Sequence, residues 1–306
     1  MTAHLDPAGL SARLASGVIA FPVTPFTAEG ALDRAGLRDN LGRLLEHPLA
    51  AVVAPGGTGE VFSLSPAEQG EVVAAAVEAA AGRVPVLAGV GINLPLGVQM
   101  AQQAAVQGAG GLLAFPPYYP DADPEGLADY YAALAAANPL GLVVYSRDWV
   151  SPSPAWLERL ADRLPTLVAW KDGTGDTRRC QQLIQRVGDR LRWIGGAGDD
   201  QVPPYYAIGI RCYTSSVANV APRLSLRLHE AAARGDSAQL GSLMSDYVLP
   251  LYELRSRRRG YEVTVMKEMM TRLGLAAGPV RPPLTALRPE DRADLERLVE
   301  RWKPVL

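Results

Sequence analysis

Lysine is scarce in this 306-residue chain, where Lys171, Lys267 and Lys303 stand against 27 arginines. Lys171 directly follows the apolar run TLVAW (166–170). A buried stem there could strip the amine of its proton, leaving a nucleophile able to attack a ketone and form a Schiff base. The same lysine could instead pair with Asp172 or another carboxylate. Tyr145 ends the preceding apolar run and could hold a phenol beside that amine as proton donor and acceptor, or simply cap the core. The stretch GGTGE (56–60) offers closely spaced backbone N–H groups and the Thr58 hydroxyl where a helix could begin. That suits a carboxylate or phosphate, although glycines also serve tight turns. Lys267 and Lys303 fall in C-terminal helical stretches where an arginine could stand in for either.

These residues share a position in a larger rhythm. Eight short apolar runs, at 17–23, 50–54, 84–88, 111–115, 141–145, 166–170, 191–195 and 211–214, have the length and character of buried parallel strands. Helix starts fall between them: Ser65-Pro66 with Glu68 reads as a capping box, and Asp123-Pro124 and Ser153-Pro154 repeat the cap-then-proline device. Eight βα units predict an α/β fold, a (β/α)8 TIM barrel over residues 1–235. The helical stretches 237–255, 262–273 and 289–302 form a C-terminal extension, 236–306, within the same structural unit. A doubly wound open sheet is the alternative, but no GxGxxG follows the first strand and no GxxxxGK[ST] occurs. In a barrel the active site lies at the C-terminal strand ends. Those ends carry GGTGE, PPYYP (116–120), YSRD (145–148), KDGTGD (171–176), GGAGDD (195–200) and TSSVAN (214–219).

A net charge of −2 gives no electrostatic case for nucleic acid or an anionic membrane. The one dense basic cluster, Arg255, Arg257, Arg258 and Arg259, reads as a solvated helix face or a subunit contact. Two cysteines without metal-ligand spacing fit a reducing cytoplasm. The longest apolar stretches stop well short of 18 residues, and no basic-then-apolar leader opens the chain, so neither export nor membrane insertion is expected. His4, His47 and His229 lie outside every strand-end loop and are expected on the surface or on helices. With no histidine nearby, Asp199 and Asp200 make a poor metal site. Glu60 reads as a residue that caps or orients its loop.

Taken together and in order, GVIAFPVTPF, GGTGE, PPYY, the tyrosine after strand five, the lysine after strand six, a GDD loop and SSVAN resemble the Schiff-base-forming superfamily of dihydrodipicolinate synthase and N-acetylneuraminate lyase. GGTGEVFSL and YSRD look more like its dehydratase branch acting on 5-dehydro-4-deoxyglucarate. The synthase pattern departs twice, since Gly57 replaces the first of two threonines and YSRD replaces YNxPxR. The resemblance implies an imine between Lys171 and a six-carbon 2-oxo-3-deoxy diacid, loss of water and CO2, and no metal or organic cofactor. It implies that Tyr145 moves protons, that Gly57 and Thr58 hold the carboxylate beside the ketone, and that Ser215 and Gly198 lie at the substrate. Arg147 would then be free to pair with the second carboxylate. Tyr119 matches a tyrosine that in relatives enters a neighbouring subunit's site, which implies a homodimer or homotetramer. The rivals are an aldolase or synthase on the same scaffold, a ligand-sensing barrel without turnover, and a phosphate-binding barrel using GGAGDD.

Overall fold

All eight apolar runs form parallel strands in the computed structural model, which describes residues 5–147 and 149–306. His4 and Asp148 lie outside the described residues. The strands are β1 (Gly17–Ala20), β2 (Ala51–Val53), β3 (Val86–Ile92), β4 (Gly111–Pro117), β5 (Leu142–Ser146), β6 (Leu167–Asp172), β7 (Arg192–Gly195) and β8 (Cys212–Ser215). They are hydrogen-bonded in chain order and closed into a barrel, β1 meeting β8 with Ile19 opposite Thr214. A helix follows each strand on the outside, and the proposed caps hold: Ser65 and Glu68 form the reciprocal box, while Asp123 and Ser153 accept from the first turns of their helices.

Two strand ends differ from expectation in a way that matters. Strand β6 runs two residues past TLVAW, so Lys171 lies within the ladder rather than after it, opposite Tyr145 of β5 and Ile194 of β7. Strand β3 continues to Ile92 because Gly89 and Gly91 let it pass close under Pro55 and Phe115. A short helix, Pro7–Arg13, was not expected at all. It is capped by Asp6 and sends Leu10 and Leu14, both fully buried, into the floor of the barrel among Ile19, Leu87, Leu113, Val143 and Ile194. Gly111 and Gly141 make the room: a Cβ on either would lie 2.5 or 2.8 Å from the Leu10 side chain.

The C-terminal extension shares its core with the barrel wall, since Leu251, Leu254, Met266, Met269 and Trp302 join the cluster that contains Val18, Val52 and Tyr213. Its first helix is one run from Ser237 to Ser256, interrupted by a π-helical turn at Met244–Val248. Tyr261–Arg272 and Pro289–Trp302 follow. No helix among the described residues is long and apolar enough to cross a membrane.

Candidate active site

A cavity of about 540 Å³ opens at the C-terminal ends of the strands. It is walled by Phe21, Gly57, Thr58, Tyr145, Arg147, Lys171, Gly196, Gly198 and Ser215, together with residues of the C-terminal extension. Side chains alternate along β6, so Lys171 points into the barrel while Asp172 points outward. The Asp172 carboxylate accepts from Thr174 Oγ1 (2.7 Å), Gly175 N (3.0 Å) and Tyr205 OH (2.6 Å). It is therefore spent on the strand-end turn and not on the amine.

Lys171 is 3% exposed. Its Nζ donates to the Gly196 carbonyl at 3.0 Å and sits 3.2 Å from the centroid of the Tyr145 ring. Burial pushes the ammonium's pKa well down, and the Arg147 guanidinium adds repulsion; the Asp172 charge works in the opposite direction without reversing them. Gly196 is required sterically: a Cβ there would fall 2.5 Å from Lys171 Cγ and 2.6 Å from Nζ. A desolvated amine on a rigid strand, beside a phenol, is equipped for imine formation.

Gly57 and Thr58 border the cavity on a turn closed by the Glu60 N–H donating to the Gly57 carbonyl, 3.0 Å. A single 3-10 turn, Val61–Ser63, follows the loop, and the α-helix begins at Pro66 with its capping box. Arg147 reaches back over this end. Its Nη1 lies 3.9 Å from the place a Cβ on Gly57 would occupy, and its guanidinium carbon is 5.6 Å from the Tyr145 ring centre. The guanidinium thus stands on the amine's side of the pocket, whereas the sequence reading aimed it at the far end of a substrate.

Ser215 lines the cavity, but its hydroxyl is engaged. It donates to Asp199 Oδ1 at 2.5 Å, meets Ser225 Oγ at 2.9 Å and accepts from Ala218 N at 3.1 Å. Asp199 Oδ2 accepts from Tyr252 OH at 3.1 Å, and burial raises this carboxyl's pKa while the Ser215 hydroxyl, the Arg255 charge and the Tyr252 hydroxyl oppose the rise. Gly198 permits the arrangement, since a Cβ would lie 2.8 Å from the Tyr252 ring. Tyr119 does not line its own chain's cavity and is 75% exposed. His47 and His229 lie away from the cavity, with His229 Nδ1 2.5 Å from Tyr206 OH. Among the described residues no group of three or more His, Cys, Asp or Glu side chains is arranged to hold a metal.

Sequence reasoning missed the contribution of the C-terminal extension. Tyr252, Arg255, Arg259 and Glu262 border the same cavity. Arg255 is 7% exposed and so is no solvated face, whereas Arg257 pairs with Asp291 and Asp294, and Arg258 with Glu290. Lys267 corrects a second reading. It is buried, its Nζ lies 2.5 Å from Glu60 Oε1 and donates to the Pro279 carbonyl at 2.9 Å, and the Phe26 ring covers it at 4.0 Å. A compact ammonium and a planar guanidinium are not interchangeable in such a packed, paired setting. Glu60 Oε2 also accepts from Arg281 N, 2.9 Å, so Glu60 anchors its loop to the extension as the loop-orienting reading anticipated.

The dihydrodipicolinate synthetase family model matches residues 14–302. The chain belongs to that family. It is 40% identical over 299 residues to a protein from Bradyrhizobium diazoefficiens named probable 5-dehydro-4-deoxyglucarate dehydratase, covering 97% of this chain and 95% of the relative. A protein of the same name from Saccharopolyspora erythraea is 41% identical over 296 residues, 96% of either chain. Among solved structures, dihydrodipicolinate synthase from Oceanobacillus iheyensis superposes with a TM-score of 0.91 at 30% identity, covering 98% of this chain and all of that one. The synthase from Acinetobacter baumannii, complexed with pyruvate, gives 0.86 at 26% identity over 95% of this chain and all of that one.

Proposed function

We propose that this family member is a dehydratase and decarboxylase that converts 5-dehydro-4-deoxy-D-glucarate into 2,5-dioxopentanoate, CO2 and water through an imine on Lys171. The observation that carries the reading is the desolvated Lys171 amine, packed on Tyr145 and opening into a cavity flanked by two further cationic side chains, Arg147 and Arg255. The names of the relatives at about 40% identity support the choice of substrate, and a synthase of the same fold complexed with pyruvate, a 2-oxo acid, supports the class of ligand.

The neutral amine attacks the 2-oxo carbon, and the carbinolamine loses water to give an iminium. That cation acidifies C3, and Tyr145 takes the proton and passes one to the C4 hydroxyl, which leaves as water. The new C3–C4 double bond is conjugated with the iminium, so the electrons of the C5–C6 bond can flow to nitrogen as the C6 carboxylate departs as CO2. The resulting C5 enol becomes the aldehyde, and water releases the product from Lys171. Gly57 and Thr58, with Arg147 beside them, hold the carboxylate next to the ketone. The iminium is the electron sink, and the chemistry calls on no metal or organic cofactor.

Incubation with the sugar diacid should release CO2 and the semialdehyde in equal amounts. Borohydride added during turnover should leave a reduced adduct on the peptide containing Lys171. Pyruvate as the product would replace the reading with an aldolase, and turnover without any adduct would remove the imine.

A further inference from the structure

We propose that Arg255, held by Ser216 at the end of the cavity lined by the C-terminal extension, is the receptor for the distal carboxylate and so makes the enzyme specific for a diacid. The proposal deepens the reading above and rests on it.

Arg255 is placed by a local irregularity. The π-helical turn at Met244–Val248 inserts an extra residue into the helix that carries it and shifts the faces of every position beyond. Tyr252 and Arg255, three residues apart, then share a face and both reach the cavity. The guanidinium stacks over Tyr252 with its carbon 4.5 Å from the ring centre, and Nη1 donates to Ser216 Oγ at 3.0 Å.

What remains unmet is a hydrogen bond. Arg255 forms no close ion pair among the described residues, although the Asp199 carboxylate feels its charge, and its buried Nε has no hydrogen-bond acceptor. Asp199 directs its two oxygens to the Ser215 and Tyr252 hydroxyls rather than to the guanidinium. A buried guanidinium with an orphaned donor is costly unless something supplies an acceptor. A carboxylate arriving in the cavity does so, and a modest turn of the guanidinium offers it a two-point grip of the kind arginine provides and lysine does not. Glu262 borders this end and Arg259 lies at the rim, so the receptor's net charge stays moderate. A moderate grip suits the chemistry, because C6 must be surrendered as neutral CO2. Arg147, beside Gly57, serves the other end. Two cations at opposite ends read the length and charge of a diacid.

The test is calorimetric binding of two ligands of one length, 2-oxoadipate and 2-oxohexanoate, which differ only in the distal carboxylate. Wild-type protein should prefer the diacid by roughly tenfold or more, as a charged hydrogen-bonded contact is worth. In Arg255→Gln that preference should collapse to about twofold or less, while monoacid affinity changes little. On the sugar diacid the loss should appear in KM rather than in kcat. If Arg255→Gln does not fold, Arg255→Lys decides: its preference should fall severalfold for want of the fork. No preference in the wild type, or equal losses for both ligands, would overturn the assignment. Failure of pyruvate to give a borohydride adduct on wild-type Lys171 would instead sink the imine reading, and calorimetry would still judge Arg255.

Discussion

Lys171 and Arg255 are both buried basic side chains at the cavity, yet only one could be found by reading. A lysine at the end of an apolar run has a position that the barrel rule interprets, and its scarcity drew attention to it. Arg255 sits in a run of arginines on a helix whose register is broken by a π turn, so its spacing describes a face that the folded helix does not present. Lys267 was misread for a related reason: its partner, Glu60, lies more than two hundred residues earlier. For Lys171 the pH consequence has a definite sign. Only the neutral amine attacks, and burial carries its pKa down from an ordinary 10.5. The rate of pyruvate imine formation should therefore begin to fall toward acid only well below the pH at which an ordinary lysine amine is reprotonated. A midpoint near 10 would refute the desolvated amine. Arg147→Ala, by removing a repelling charge, should move that acid limb upward and weaken pyruvate and diacid alike. Lys171→Ala should cost at least about three orders of magnitude in turnover without loss of helical circular dichroism.

At the scale of elements, the eight strands and the caps between them were legible because buried parallel strands are uniformly apolar and caps have fixed chemistry. The helix Pro7–Arg13 was not, because seven residues with one apolar anchor carry no period. Its worth can be measured. Leu10→Ala should leave a cavity in the barrel floor and lower unfolding free energy by about 2–5 kcal/mol, read from urea denaturation; a loss under about 1 kcal/mol would mean the floor collapses to fill it. The loop carrying Gly57 and Thr58 depends on the extension through Glu60 and Lys267. Burial draws the Lys267 pKa down to about 8, so at neutral pH most of the lysine is still charged. Lys267→Met leaves Glu60 buried without its counter-ion and should cost about 3–5 kcal/mol. The variant should also bind pyruvate more weakly, since the loop loses its anchor; unchanged affinity would uncouple the loop from the extension.

For the whole molecule, the arginine bias finds a physical use. Arg34 with Glu71, Arg159 with Glu125, Arg163 with Asp129, Arg186 with Glu158 and Arg190 with Asp162 each join successive outer helices. Such exposed pairs are individually weak, but their side chains also cover the seams between helices. Tyr118, Tyr119 and Trp149, which follow strands β4 and β5, leave aromatic surface exposed. We expect sedimentation to give a dimer or tetramer, and Tyr119→Ala to lower kcat more than it lowers the melting temperature; a fully active monomer would refute the shared site. The floor built by Leu10 and Leu14 closes one end of the barrel completely. In the reaction proposed above, substrate, aldehyde and CO2 therefore share one doorway, and the semialdehyde should act as a competitive brake on its own formation.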